Sequence, residues 1–506
     1  MVESSFSDYD DFAKKYEQNI AQILWRRVVA DLDTPVGAYL KLSAGRKNTF
    51  LLESVQGGST KGRYSMIGLE PDIILKVIRE KVEISYTAPH ASENFEEIQT
   101  KPLDALRDLV KLSQAQVPDG LPSTAAGIYG YLGYDMVRHM EELPDDNPDD
   151  MGQADSILMR PSLLAVFDTL KDELYLTAPV YVKAGISAKQ AWELAQSKID
   201  DANYRLTKTI RKTEQALALE EVEISSNTSK DEYFAIVKKA KEYITAGDIF
   251  QVVLSQRFES EFSLPPTALY RALRRTNPSP YMYFLDFSDF SIAGSSPEIL
   301  VRVDKNRELT IRPIAGTRKR GNTPERDKEL ANELLSDPKE LAEHLMLLDL
   351  GRNDVGRVAK IGSIKVTDKF FLEYYSHVMH IVSNVVGVLD DKYDFVDALS
   401  AGFPAGTVSG APKVRAMEII DELEKSRRGI YGGCVGYFGA DGTMDTCIVL
   451  RTAILKEKKL YVQAGAGIVA DSKPELEQLE CENKAKALFS AANEAIRYAS
   501  ESEFGQ

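Results

Sequence analysis

Three stretches in the second half of the chain alternate apolar and polar residues at helical spacing and carry matching end signals. Ser229 and Glu232 form an S-x-x-E capping box. Phe234, Val237 and Ile244 follow on one face, and Gly247 is placed to end the helix. Asp337 and Pro338 start a second helix as N-cap and first-turn proline, predicted to stop near Gly351. The third reads PELEQLECENKAKAL from Pro474 to Leu488, rich in good helix formers. Between them lie apolar runs of strand length. IFQVVL follows Gly247, interrupted by Gln251, and CIVLRTAIL reads as one strand carrying a lone Arg451. The first half is richer in such runs, including SLLAVFDTL and ELYLTAPVYV. The pattern predicts the α+β class.

Two polar connections break the pattern. LPDDNPDDMGQAD spans Leu143 to Asp155, and EISSNTS spans Glu223 to Ser229. The second sets the expected division, residues 1–225 and 226–506. One internal echo crosses it: GIYGYLGYD from Gly127 and GCVGYFGAD from Gly433 share G-x-x-G-Y-x-G-x-D. Coincidence and two related glycine-rich strands are both open readings.

Charge narrows the function. A net charge of −15 argues against nonspecific nucleic-acid binding, and an anionic substrate would need local cations or a metal. The N-terminal MVESSFSDYDDFAKKYEQ lacks the apolar core of a signal peptide, and no apolar run is long enough to span a bilayer. Cys434, Cys447 and Cys481 are scattered, so neither a disulfide framework nor a zinc site is expected, and a reducing cytoplasm fits.

Several motifs could carry chemistry. E-x-x-E occurs five times, at Glu80/Glu83, Glu93/Glu96, Glu220/Glu223, Glu340/Glu343 and Glu477/Glu480. Only the last two fall on well-signalled helices, where both carboxylates share a face. A solvated helix face is the ordinary reading of any one pair. GTVSGAPK, from Gly406 to Lys413, lacks the Gly-Lys-Ser/Thr of a nucleotide-binding P-loop but could offer backbone N–H groups to an anion. QAGAGIVADS brackets Ala466 with Gly465 and Gly467, read either as a strand-to-helix turn or as an anion contact. GGCVG fits the G-x-C-x-G elbow of glutamine amidotransferases, whose activating histidine lies C-terminal to the cysteine. His90, His139, His344, His377 and His380 all precede Cys434, so the thiol reads as strand filler.

Taken together, SSPEIL, PIAGTRKRG, KELAEHLMLLDLGRND, YYSHVMHIVS, GTVSGAPKVRAMEIID, QAGAGIVADS and ELEQLECENKA resemble the chorismate-utilising enzyme family. Within it they are most similar to the large, component I subunits of anthranilate synthase. The stretches run in family order from about Gly247 to Leu488, and LLES and GIYGYLGYD extend the likeness into the first half.

The resemblance implies a large α/β sandwich of two antiparallel sheets with outer helices. It implies Mg²⁺ held by Glu343 and Glu480, with Glu340 and Glu477 in the second sphere. It implies chorismate contacts from Gly316, Thr317, Tyr431, Arg451, Gly465, Ala466, Gly467 and Lys484. Glu298 matches the general acid for the departing C4 hydroxyl, and His380 the histidine tied to pyruvate loss. Thr317 belongs to the same catalytic set. Gln251 falls where water-activating relatives carry Lys, which suits ammonia as nucleophile. Ala315 falls where aminodeoxychorismate synthases usually carry Lys. Glu53, Ser54, Pro280, Tyr281 and Met282 match a feedback site for L-tryptophan, with residues 1–225 as the regulatory region and 226–506 as the catalytic one. A separate glutamine amidotransferase subunit is the expected ammonia source, in a heterotetramer. Runners-up are an aminodeoxychorismate synthase component and a non-catalytic chorismate or tryptophan sensor of the same fold.

Overall fold

Two long strands, Thr60–Ile78 and Ser156–Asp168, lie antiparallel and tie two sheets together. Pro71 faces Pro161 midway, and the register shifts between Pro71 and Ile73. Proline cannot donate to a ladder, so pairing weakens there and the strands can leave one sheet for the other. The computed structural model describes residues 8–56, 60–86, 94–210, 221–375 and 378–500. His90, Glu93, Glu220 and His377 lie outside the described residues.

Beyond Glu173–Val180 and Gln22–Val29 at one edge, the first sheet continues from Thr60–Ile78 through Thr49–Gln56, Tyr281–Asp286, Ser291–Ser296, Thr452–Lys456, Lys459–Ile468 and Gln251–Glu261. The second continues from Ser156–Asp168 through Gly127–Leu132, Cys434–Gly439, Met444–Ile448, Ile299–Val303 and Glu308–Ile311 to Val378–Val388. That last strand also carries Ile314–Lys319 and Lys365–Tyr374. All of these pairings are antiparallel, and both sheets draw strands from both sides of residue 225.

Aromatic side chains fill the space between the sheets. Phe50 stacks on Tyr129 with ring centroids 4.6 Å apart, and Tyr131 meets Phe287 and Phe290 edge-on. Helices cover the outer faces. Trp192, Ile199, Tyr233, Leu269 and Leu488 join one outer core, and Leu106, Leu109, Leu348 and Leu399 the other. This is the expected α/β sandwich with outer helices.

The echoing strands are direct neighbours. Gly127–Leu132 pairs with Cys434–Gly439, placing Gly130 opposite Gly436 and Tyr129 opposite Tyr437. A Cβ on Gly436 would lie 2.1 Å from the Asp445 carbonyl oxygen, so that position tolerates no side chain.

The helix signals hold, with local corrections. Both capping-box bonds of Ser229 and Glu232 form, the helix spans Lys230–Ala246, and Gly247 closes it at φ 87°. Asp337 caps helix Pro338–Gly356, which runs past Gly351 rather than stopping there. A Cβ on Gly351 would touch Ile311 and Pro313 at 3.5–3.6 Å, so its small size serves close helix packing instead of termination. CIVLRTAIL is not one strand: Met444–Ile448 and Thr452–Lys456 flank a break where Arg451 takes φ 47°. Gly465 and Gly467 are not a turn; they pair with Ser255 and Val253 inside Lys459–Ile468.

Candidate active site

The two acidic helices bring their glutamates toward one another. Burial pushes Glu343 up, and the nearby Glu340 and Glu480 carboxylates push it further. Glu477 is raised by burial, with Glu480 adding to it. Mutual repulsion of this kind is what a bound cation would relieve. Glu340 accepts from Arg318 at 2.7 Å, and Glu480 pairs with Lys484 at 2.7 Å. Among the described residues no three His, Cys, Asp or Glu side chains converge as a metal-ligand set. A hard cation such as Mg²⁺ would find carboxylate oxygen here and would complete its shell with water or substrate oxygen.

Gln251 opens its strand beneath this face. Its amide Nε2 reaches Glu343 at 3.4 Å, and its Oε1 is buried without a protein partner. A side chain on Gly467 would collide with that amide at 2.5 Å. Lys484 Nζ donates to the Gly465 carbonyl at 2.8 Å, tying the acidic helix to the glycine strand. That strand pairs with Thr452–Lys456 only as far as Val462, so its Gln463–Ile468 half has a ladder partner on one side only. Tyr431 closes in from the other side, its hydroxyl 2.9 Å from where a Gly465 Cβ would stand.

Glu298 and His380 form the second part of the site. Glu298 is buried, and burial pushes its carboxyl up to about 8, although Thr407, Lys484 and Arg451 all favour its charged form. Thr407 donates to its Oε2 at 3.2 Å. His380 is buried as well, and burial with the neighbouring Arg451 brings it down to about 4. Its Nδ1 lies 3.2 Å from the Gly316 carbonyl and 3.0 Å from the Thr317 hydroxyl. A carbonyl only accepts, so the pattern assigns the proton to Nδ1 and leaves the Nε2 lone pair free. Thr317 stands opposite His380 in the ladder, and Gly316 takes φ 77° at the register shift between Ala315 and Thr317. The Arg451 guanidinium is held lower than usual by burial, offset by Tyr375 and Glu298. A cation so placed suits a carboxylate ligand.

The expected site residues Glu298, Gly316, Thr317, His380 and Arg451 thus share one neighbourhood, and Gln251, Glu343, Gly465, Gly467, Glu480 and Lys484 an adjoining one. Ala466 sits between the two glycines, buried in the ladder. Thr407 and Tyr375 were not anticipated. Thr407 lies in GTVSGAPK, and it is its side-chain hydroxyl that meets Glu298. Tyr375 packs edge-on against His380 at 5.4 Å. His344 is fully buried, with Nε2 2.7 Å from the Ser383 hydroxyl, and it hydrogen-bonds the Ala315 backbone.

A separate cavity of about 740 Å³ opens between the sheets. Glu53, Ser54, Pro280, Tyr281 and Met282 all line it, because the LLES strand pairs with Tyr281–Asp286, setting Ser54 opposite Tyr281. Glu53 is already engaged, by Arg274 at 2.8 and 2.9 Å and by the Tyr270 hydroxyl at 2.6 Å. Tyr375 also lines the cavity, so one ring borders both it and His380.

Cys434 is fully buried in its strand, and burial pushes the thiol up to about 12. It is no poised nucleophile. Among the described residues no helix is long and apolar enough to cross a membrane.

Comparison with known proteins bears on the family and the fold. Residues 51–490 match the family of chorismate binding enzymes. Anthranilate synthase component 1 of Cereibacter sphaeroides is 53% identical over 97% of this chain and 99% of its own length. That of Aquifex aeolicus is 46% identical over 97% and 98%. The crystal structure of anthranilate synthase component I from Streptococcus pneumoniae superposes with a TM-score of 0.75 at 37% identity, covering 91% of this chain and 98% of that one. MenF, the menaquinone-specific isochorismate synthase of Escherichia coli, shares the fold at a TM-score of 0.68 and 20% identity, over 96% and 98%. The chain belongs to the chorismate binding enzyme family, among its anthranilate synthase component 1 members.

Proposed function

We propose that this protein converts chorismate and ammonia to anthranilate, pyruvate and water, the first committed step toward tryptophan, in the cytoplasm. The observation that carries the reading is the buried Glu298 carboxyl, which accepts from Thr407 and lies near Arg451, with burial pushing it up to about 8. In the first half-reaction ammonia adds at C2 and the C4 hydroxyl leaves. Glu298 supplies the proton that lets it leave as water. In the second, the C2 proton is removed and the enolpyruvyl group departs as pyruvate. His380, with the proton on Nδ1, offers its Nε2 lone pair as the base for that step. Gln251 cannot activate water as a Lys would, so amination is favoured over hydroxylation.

Glu343 and Glu480 would hold Mg²⁺, with Glu340 and Glu477 reaching it through water. The ion would supply positive charge for the ring carboxylate of chorismate. Arg451, Tyr431 and the Gly465–Gly467 strand then serve the enolpyruvyl carboxylate.

Tryptophan as feedback inhibitor is supported by the cavity at Ser54 and Tyr281 and by Tyr375, which offers a physical link to His380. A glutamine amidotransferase partner is supported by the inert Cys434, since no thiol here can release ammonia from glutamine. Ala315 in place of Lys weighs against aminodeoxychorismate as product. Incubation with chorismate, Mg²⁺ and an ammonium salt, with products identified by NMR, tests the assignment. Anthranilate with pyruvate is expected. Aminodeoxychorismate without pyruvate would establish the runner-up, and unchanged chorismate would leave only a sensor.

A further inference from the structure

Arg428 touches no expected substrate group through a hydrogen bond, yet it is bonded to several elements that deliver them. Its guanidinium is buried and donates to Glu424 at 2.6 and 2.9 Å, to the Val408 carbonyl at 2.6 Å and to the Val253 carbonyl at 2.7 Å. Val408 follows Thr407, the donor to Glu298, and Val253 lies two residues past Gln251. The cation also sits over the Tyr431 ring, 5.5 Å from its centroid. Glu424 extends the network: it accepts from the backbone N–H of Ser255 at 2.7 Å and from its hydroxyl at 2.9 Å. Gln463 of the glycine strand donates to that same hydroxyl at 2.8 Å.

One buried ion pair therefore joins the Gln251 strand, the Thr407 turn, the Tyr431 ring and the strand of Gly465–Gly467. A buried pair is a weak source of net stability, because desolvation cancels much of the attraction. Its fork of donors is a strong source of geometry. We infer that Arg428, oriented by Glu424, is a positioning residue for the substrate site, fixing Tyr431 and the Thr407 turn relative to the glycine strand. The inference rests on the chorismate reading above.

Arg428→Lys keeps the charge, but a single ammonium cannot bridge Glu424 and two carbonyls at once. The KM for chorismate should rise about tenfold, while that for ammonium stays within about twofold. In a Tyr431→Phe background, which lacks the hydroxyl but keeps the ring, the same substitution should raise the chorismate KM less than in wild type, by about threefold, the remainder passing through the Thr407 turn. Equal effects in both backgrounds, or on both substrates, would overturn the inference. If Arg428→Lys does not fold, Arg428→Met combined with Glu424→Gln strands no charge and takes its place. A stably folded double variant with the wild-type chorismate KM would also overturn it. Wild-type protein that leaves chorismate unchanged would sink the functional reading instead.

Discussion

Replacing Glu298 by Gln should stabilise the protein at high pH while destroying its activity. Burial holds the carboxyl at about 8, against an ordinary 4.5. Below pH 4.5 the folded and unfolded chains both carry the proton, and the site has no effect on the balance. Between the two values the unfolded chain ionises Glu298 and the folded chain does not. The unfolded state then binds fewer protons, so native stability falls as pH rises. At ~1.4 kcal/mol per pH unit, the loss is about 1 kcal/mol at pH 5 and about 4 kcal/mol at pH 8. Gln has nearly the same shape and never ionises. The stability difference between Glu298→Gln and wild type should therefore grow by about 3 kcal/mol from pH 5 to pH 8. Urea unfolding at several pH values, without Mg²⁺ or chorismate, measures this through the midpoint and slope. Chorismate turnover by the variant should drop at least ~100-fold, the usual scale for losing a general acid. Wild-type turnover, corrected for free NH₃, should decline above about pH 8 as the acid is lost. A stability difference that stays flat across this range would refute the claim that Glu298 is held protonated.

His380→Ala should impair pyruvate loss more than amination, so an aminated, pyruvate-bearing intermediate should build up by HPLC; equal loss of both steps would remove it from the second half-reaction. Ser54→Ala should relieve tryptophan inhibition with basal turnover nearly intact, and unchanged inhibition would place the effector elsewhere. Glu53→Ala should in addition lower stability by about 3–5 kcal/mol, because it strands Arg274 and the Tyr270 hydroxyl; a urea midpoint equal to wild type would contradict this. The isolated chain should use ammonium salts but not glutamine, and Cys434→Ser should leave that pattern unchanged; glutamine-dependent product from the pure chain would contradict the division of labour.

What could be read from the sequence was local or chemically marked. The capping box at Ser229 and the Asp337-Pro338 start lie in short segments whose bonds form within a few residues, and both are in place. Gly351 misled because packing against Ile311 and Pro313, which are distant in sequence, decided its role. Arg451 was visible as a charge in an apolar run, but not the positive φ that breaks the run around it. The glycines at 465 and 467 suggested a turn; in the ladder they make room, one for Tyr431 and the other for Gln251. The echo between residues 127–135 and 433–441 left its meaning open until register placed the two strands side by side. Thr407 was missed because a hydroxyl's partner, here Glu298, is a tertiary fact. The Arg428 network is invisible for the same reason, since the Val408 and Val253 carbonyls it holds lie far from it in the sequence.

The most direct test of the central claim is a stoichiometric one. Purified chain, chorismate, an ammonium salt and Mg²⁺ are combined, and anthranilate fluorescence and pyruvate release are followed together. Equal amounts of both products are predicted. Formation should be abolished by chelating the metal, and should also be lost in Glu343→Ala and Glu480→Ala, whose calorimetric Mg²⁺ binding should disappear. Full turnover in the presence of chelator, or in either glutamate variant, would contradict the claim that these two helices build a metal-assisted chorismate site.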